Sequence, residues 1–276
     1  MRRASFFLLL LLTALTFVTI SLLAQEPGTS QTPKPPIHFV TTQDGGVHEV
    51  LQSIVVPPKA GAPFTLTLET EWERQLPEGG HITFVNKRRI ARDATGRVYQ
   101  ERWALIPKND PRVQPVMTII QIADPNAHTR HDCFFLPKTN TCELLSYSGS
   151  TNNVYRPESP ATGPLPGDEG TALHETLGKQ FIQGVETEGT HDTIIYNPGV
   201  FGNDRKVTLD NEFWWSPQLG LNLLSIRNDP RIGKQTFTVT SLLLGDPDPA
   251  LFQLPAGFSV VDRRQTPPPP PEATVP

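Results

Sequence analysis

Only two of the 276 residues are cysteine, and the pair is not spaced as C-x-x-C. That removes the usual dithiol redox motif, and zinc would want more ligands at tighter spacing than these two supply. There is no G-x-S-x-G, no H-E-x-x-H and no glycine-rich phosphate loop, so the common signatures of esterases, zinc proteases and nucleotide binders are missing. Basic residues number 24 against 28 acidic ones, for a net charge of −4. Such a balance lacks the electrostatic footprint of a nucleic-acid binder. Beyond residue 24 no apolar run is long enough to span a bilayer as a helix.

What is present begins at the N-terminus. Met1-Arg2-Arg3 is a short basic region, and residues 4–24 carry no charge. Ala24 then gives way to Gln25-Glu26-Pro27, the pattern of a secretory signal over residues 1–24. The run is also long enough to act as an N-terminal membrane anchor if it is not cleaved. Cleavage removes Arg2 and Arg3 and leaves 22 basic against 28 acidic residues. An exported chain meets an oxidising compartment, where paired cysteines bridge. Cys133 and Cys142 flank Pro137-Lys138-Thr139-Asn140-Thr141, a turn sequence between two apolar runs. We read them as a disulfide across a β-hairpin.

The 29 prolines are clustered. Residues 25–36 form a flexible leader, and 263–276 a proline-rich tail. The span 37–262 reads as one β-rich domain interrupted by a long polar loop at 148–170. Phe64, Leu66, Leu68 and Trp72 alternate with Thr65, Thr67, Glu69 and Glu71, the pattern of a half-buried strand with its carboxylates toward solvent. Residues 82–92 and 97–105 flank Asp93-Ala94-Thr95-Gly96 as a hairpin. Further strands are expected at 116–123, 181–190, 191–196, 206–215, 221–227 and 236–244, about eleven in all. Only 171–184 carries moderate helical periodicity, weakened by Gly178.

Four groups of residues are functional candidates. Trp72, Phe84, Trp103, Trp214 and Phe237 are large aromatics that could line an apolar pocket for an acyl chain or a lipidated polypeptide, or else fill a core. Lys87, Arg88, Arg89 and Arg92, with Arg97 and Arg102 nearby, concentrate positive charge in one hairpin of an acidic chain. They suit an anionic partner, or an edge protected against aggregation. Alternation places Lys87 and Arg89 on one face and Arg88 and Arg92 on the other. His128, His131 and Asp132 are the best scattered candidates for catalysis, with Glu175 and His191 too isolated in sequence to assign. His128 and His131 are three apart, on opposite faces of a regular strand, so a shared metal would need a kink. Neither a metal site nor a cofactor is expected.

The second half carries Gly202-Asn203-Asp204-Arg205, Glu212-Phe213-Trp214-Trp215-Ser216-Pro217 and Asp229-Pro230-Arg231. The first half adds Gln52-Ser53-Ile54-Val55-Val56-Pro57-Pro58, Asn86-Lys87-Arg88-Arg89 and Gln100-Glu101-Arg102-Trp103. Together, over most of residues 47–262, these resemble a family of uncharacterised exported proteins of acidobacterial type. The closing stretch Asp246-Pro247-Asp248-Pro249-Ala250-Leu251-Phe252, followed by Pro255-Ala256-Gly257-Phe258, is more distantly similar to the LolA-like and LppX-like lipoprotein carriers and the RseB-like periplasmic sensors. That resemblance implies a curved antiparallel sheet forming a half-open barrel around an apolar cavity for acyl chains. This chain departs from the class in having few and short helices. The expectation is therefore a mainly β, LolA-like half-open barrel that is exported to the periplasm or envelope, is not an enzyme, and binds a hydrophobic or lipidated ligand. The alternatives are an envelope structural or partner-binding protein using sheet edge and basic hairpin, or an enzyme of unknown class. A lipid, a lipoprotein or another envelope protein is the expected partner.

Overall fold

A computed structural model of the chain describes residue 51 and residues 53–136, 139–151, 156 and 158–264. The signal, the leader and the tail from residue 265 lie outside the described residues.

The first hairpin sets the geometry. β1 (Phe64–Gln75) pairs along its whole length with β2 (His81–Arg92), and β2 turns through Asp93–Gly96 into β3 (Val98–Trp103). A two-residue strand, β4 (Ile106–Pro107), also touches β2. Then β5 (Met117–Asp124), β6 (Thr129–Leu136) and β7 (Thr139–Ser146) extend the sheet on one side. After the polar loop come β8 (Gly163–Pro164), β9 (Gly170–Ile182), β10 (Val185–Tyr196), β11 (Val207–Ser216), β12 (Leu221–Asp229) and β13 (Gly233–Leu244). The last of these returns to β1, and β14 (Ser259–Asp262) closes the chain. All fourteen strands form one open, curved sheet in the order β14-β7-β6-β5-β3-β2-β1-β13-β12-β11-β10-β9-β8, with β4 off that path. Pairing is antiparallel except for β14, which runs parallel to β7. The mainly β, non-closed architecture expected from the sequence is the one observed.

Irregular register bends the sheet. The ladders shift between Thr67 and Leu68, between Gly189 and Thr190, between Arg102 and Trp103, and between Trp214 and Trp215. Each such bulge bends its strand and increases local twist. Residues 171–184 form strand and turn instead of the helix their periodicity suggested. The shift at Leu177-Gly178 puts Leu173 and Phe181 on opposite faces of the sheet, so the i, i+4 apolar residues share no stripe. Gln183 and Gly184 both take positive φ, 51° and 78°, the signature of a tight hairpin turn. The expected strands at 181–190 and 191–196 are thus the ends of β9 and β10 around that turn.

Directly paired residues share a face. One face, named here for Phe64, carries Phe64, Leu66, Leu68, Thr70 and Trp72 of β1 opposite Arg92, Ile90, Arg88, Asn86 and Phe84 of β2. Its core includes Phe64, Leu66, Leu68, Ile90, Leu221, Leu223, Phe237 and Val239, covered by Ile54 and Val56 of the entering segment. The other face, named for Tyr99, buries Ala91, Tyr99, Ile120, Ile122, Cys133 and Cys142. A 3₁₀ turn at Pro249–Phe252 covers it, with Leu251, Phe252 and Phe258 packed down. Cys133 is paired opposite Cys142 and bonded to it across the β6–β7 hairpin, as expected. Closing a loop of 9 residues adds about 2.5 kcal/mol on the chain-entropy account.

Arg92 ties the Phe64 face together. It has no exposed surface, and its guanidinium lies 4.8 Å from the Phe64 ring. It donates to the carbonyls of Ala62 (2.9 and 3.0 Å), Pro57 (2.9 Å) and Leu219 (2.7 Å). Lys59 adds bonds to the carbonyls of Pro217 and Gln218, both at 2.9 Å. Burial pushes Arg92 down to about 10, so it remains charged at neutral pH. Arg92→Met would leave three buried carbonyls without their donor. We expect a loss of about 3–5 kcal/mol, read as a lower urea midpoint.

Candidate functional site

The five candidate aromatics do not meet in one cavity. Trp72 and Phe84 are paired neighbours on the Phe64 face, with ring centroids 6.4 Å apart. Trp72 also donates from Nε1 to the Ile232 carbonyl at 2.7 Å. Phe237 shares that face but is sealed in the core, 1% exposed. Trp214 alternates with Phe213 and so points to the opposite face. There its ring lies against Gly189, where an added Cβ would come within 2.6 Å of ring carbons. Trp103 donates to Glu101 at 2.9 Å and belongs with it on the Tyr99 face.

The basic hairpin divides as alternation requires, but burial changes its meaning. Arg88 is 4% exposed and Arg92 fully buried, so neither is available to a surface partner. Burial, then the charge of Arg102, lowers Arg88 to about 9. Arg88 bonds Ser53 at 2.6 Å and Gln100 at 3.2 Å. A polar row continues along the same face: Arg102 to Gln121 at 2.7 Å, and Arg130 to Asp132 at 2.9 Å. Lys87 and Arg89 are the exposed members, and both have acidic neighbours. Lys87 lies 3.3 Å from Glu69 and Arg89 lies 2.9 Å from Glu101.

Glu101 is the hub of that second pair. It is 7% exposed and accepts from Arg89, Tyr99 and Trp103. Burial alone would raise its pKa, but bonds from Trp103, Arg89 and Tyr99 outweigh it and hold the carboxyl below its ordinary value.

The scattered titratable candidates separate too. His128 sits in the β5–β6 turn with φ 54°. His131 pairs opposite Leu144 on the Tyr99 face, while Asp132 joins the polar row on the other. Burial first, then Arg264, lowers the His131 pKa against the opposing pull of Asp132. Glu175 and His191 do come together, Oε2 to Nδ1 at 3.2 Å, with Asp210 at 3.7 Å from Nε2.

A pocket of about 430 Å³ lies elsewhere, on the Phe64 face over β9–β12. Phe213, paired with Thr190, and Trp215, paired with Glu188, supply its aromatic wall. His174 and Asn222 line it from β9 and β12, and Arg156, Glu158 and Ser159 from the polar loop. His174 Nδ1 lies 2.6 Å from Asp192, whose side chain is 5% exposed. A carboxylate can only accept, so in this bond Nδ1 is the donor. Arg156 bonds Glu188 at 3.0 Å and stacks 5.0 Å over Trp215. A second, more polar hollow of about 730 Å³ is lined by His128, Ser146, Asp262 and Arg264.

No protein-family model matches the chain, and no curated protein matches it by sequence. Several solved structures are similar. MucB in the MucA/MucB complex of Pseudomonas aeruginosa aligns at TM-score 0.34 and 12% identity, over 71% of this chain and 56% of that one. The chain therefore spans little more than half of that protein. A putative outer membrane lipoprotein-sorting protein domain from Vibrio parahaemolyticus aligns at 0.27 and 9%, over 70% and 90%. LprF from Mycobacterium bovis aligns at 0.27 and 11%, over 70% and 89%.

The lowered Glu101 carboxyl makes stability depend on acid. Its contribution is full above the ordinary carboxylate pKa of about 4.3 and fades as pH falls through the lower folded value. In urea titrations from pH 7 to pH 2, Glu101→Gln should therefore flatten the acid limb of the stability curve.

Proposed function

We propose that the protein is an exported, non-catalytic binding protein of the envelope whose ligand is hydrophobic or lipidated. The observation that carries this is the pocket of about 430 Å³ walled by Phe213 and Trp215 on an open, curved sheet. A volume of that size, with aromatic walls and a few placed polar groups, suits a small-molecule site. The charge-free run at residues 4–24 and the bridged cysteines support export.

A second reading has its own observation. β8 pairs only with Thr171 and Ala172 of β9, and the His174 N–H donates to Thr162 Oγ1, so residues 175–182 have no outer strand among the described residues. Phe181 on that stretch is 72% exposed. An extended segment of a partner protein could add there as a further strand. The exposed Lys87 and Arg89 remain as a patch for an anionic partner.

Native mass spectrometry after mild extraction tests the first reading. The wild-type chain should carry a co-purifying amphiphile, and Trp215→Ala should lose most of it; a bare wild-type chain counts against the proposal. For the second, a photo-crosslinking residue at position 181 should capture one dominant envelope neighbour, and diffuse or absent capture ends that reading.

A further inference from the structure

The flank of the Phe64 face over β3, β5 and β6 lies across the packed middle from the pocket. Pairing places Arg88, Gln100, Arg102, Gln121, Asp132 and Arg130 there. Their acceptors are already engaged. Gln100 Oε1 accepts from Arg88 at 3.2 Å, and Gln121 Oε1 accepts from Arg102 Nε at 2.7 Å. Asp132 accepts from Gln121 at 3.3 Å and from Arg130 at 3.1 Å. Glu143, paired opposite Asp132, holds Arg263 at 3.3 Å. Four guanidiniums thus meet two carboxylates.

What is left over is donors. Arg102 Nη1 and Nη2 and Gln100 Nε2 have no hydrogen-bond partner among the described residues. Both residues are half-buried, and none of these three nitrogens is among the sealed, unbonded atoms of the structure. Arg88 is too deep to touch a ligand, but its charge stands behind Gln100. Burial holds Arg102 below its ordinary value; Asp132 opposes this and Arg130 adds to it. A neutral guest could answer the donors but not the charge. An oxyanion answers both, because two of its oxygens match the Nη1–Nη2 end of a guanidinium. Ile119, paired with Arg102, and Phe134, paired with Ile119, put apolar surface beside that end on the same face. We infer that Arg102, with Gln100, forms a binding site for the carboxylate or phosphate end of an anionic ligand. The site is separate from the pocket over β9–β12 and does not depend on it.

Calorimetry on the full chain at low salt tests this with inorganic phosphate, octyl phosphate, octanoate and octyltrimethylammonium, each below its micelle threshold. Arg102→Met should weaken the anions about tenfold or more, the size expected for hydrogen bonds between charged groups. Affinity for octyltrimethylammonium should not change. Arg102→Lys keeps the charge without the fork and should weaken the anions about threefold; it carries the test if Arg102→Met fails to fold. Lys87→Ala removes the same charge from the opposite face and should cost about twofold at most. Inorganic phosphate that binds as tightly as octyl phosphate through Arg102 assigns the site to a free ion. Arg102-dependent binding of the tailed anions alone assigns it to a lipid head group. No Arg102-dependent binding of any anion, or a loss as large from Lys87→Ala, overturns the inference. Loss of octyl phosphate in Trp215→Ala but in neither Arg102 variant also overturns it, and leaves amphiphile binding over β9–β12 standing.

Discussion

A single buried guanidinium organises the Phe64 face. Arg92 reaches carbonyls at Pro57, Ala62 and Leu219, which belong to the entering segment and to the β11–β12 turn. Both regions are irregular, and their inward carbonyls have no strand partner to bond. One residue of β2 supplies the donors for both and so fixes how the entering segment lies on the sheet. Ile54 and Val56 can then cover Leu66, Leu68 and Phe237. The charge is tolerated because it donates four hydrogen bonds and Phe64 stacks on it.

That covering fills the middle of the face and leaves the hollow to one side. Over β1, β2 and β13 the side chains are packed and mostly apolar. Toward β5 and β6 the same face turns into the row Arg102, Gln121, Asp132 and Arg130, bonded to one another. Toward β10 and β11, bulges at Gly189/Thr190 and Trp214/Trp215 shift the ladders. Space remains there beside Phe213 and Trp215, and the polar loop leans over it with Arg156, Glu158 and Ser159. The site is therefore a product of curvature and of a loop, rather than of a catalytic constellation.

Much of the fold was legible because period-two patterning and turn residues are local signals. The β1 alternation, the Asp93–Gly96 hairpin and the β6–β7 staple all follow from neighbours in sequence. Residues 171–184 were misleading because periodicity over a short run does not separate helix from strand. The charges of Arg88 and Arg92 look like surface in sequence, since burial of an arginine depends on carbonyls and side chains more than thirty residues away. The site was less legible still. Trp214 and Trp215 are adjacent, and which of them faces the pocket depends on pairing with β10. Asn222 carries no sequence signal at all. The 148–170 loop was visible as unusually long, but not as part of a wall.

The two rims of the sheet are finished unequally. One ends in the four residues of β14, laid in parallel against β7. The other ends in the two-residue stub of β8, which leaves most of β9 uncovered. Open-ended stacking of sheets needs two long free rims on every molecule, one to join and one to offer onward. Among the described residues only one is long. Any rim-to-rim joining of this protein with itself consumes that stretch on both copies, so growth stops at a pair instead of running on into a fibre.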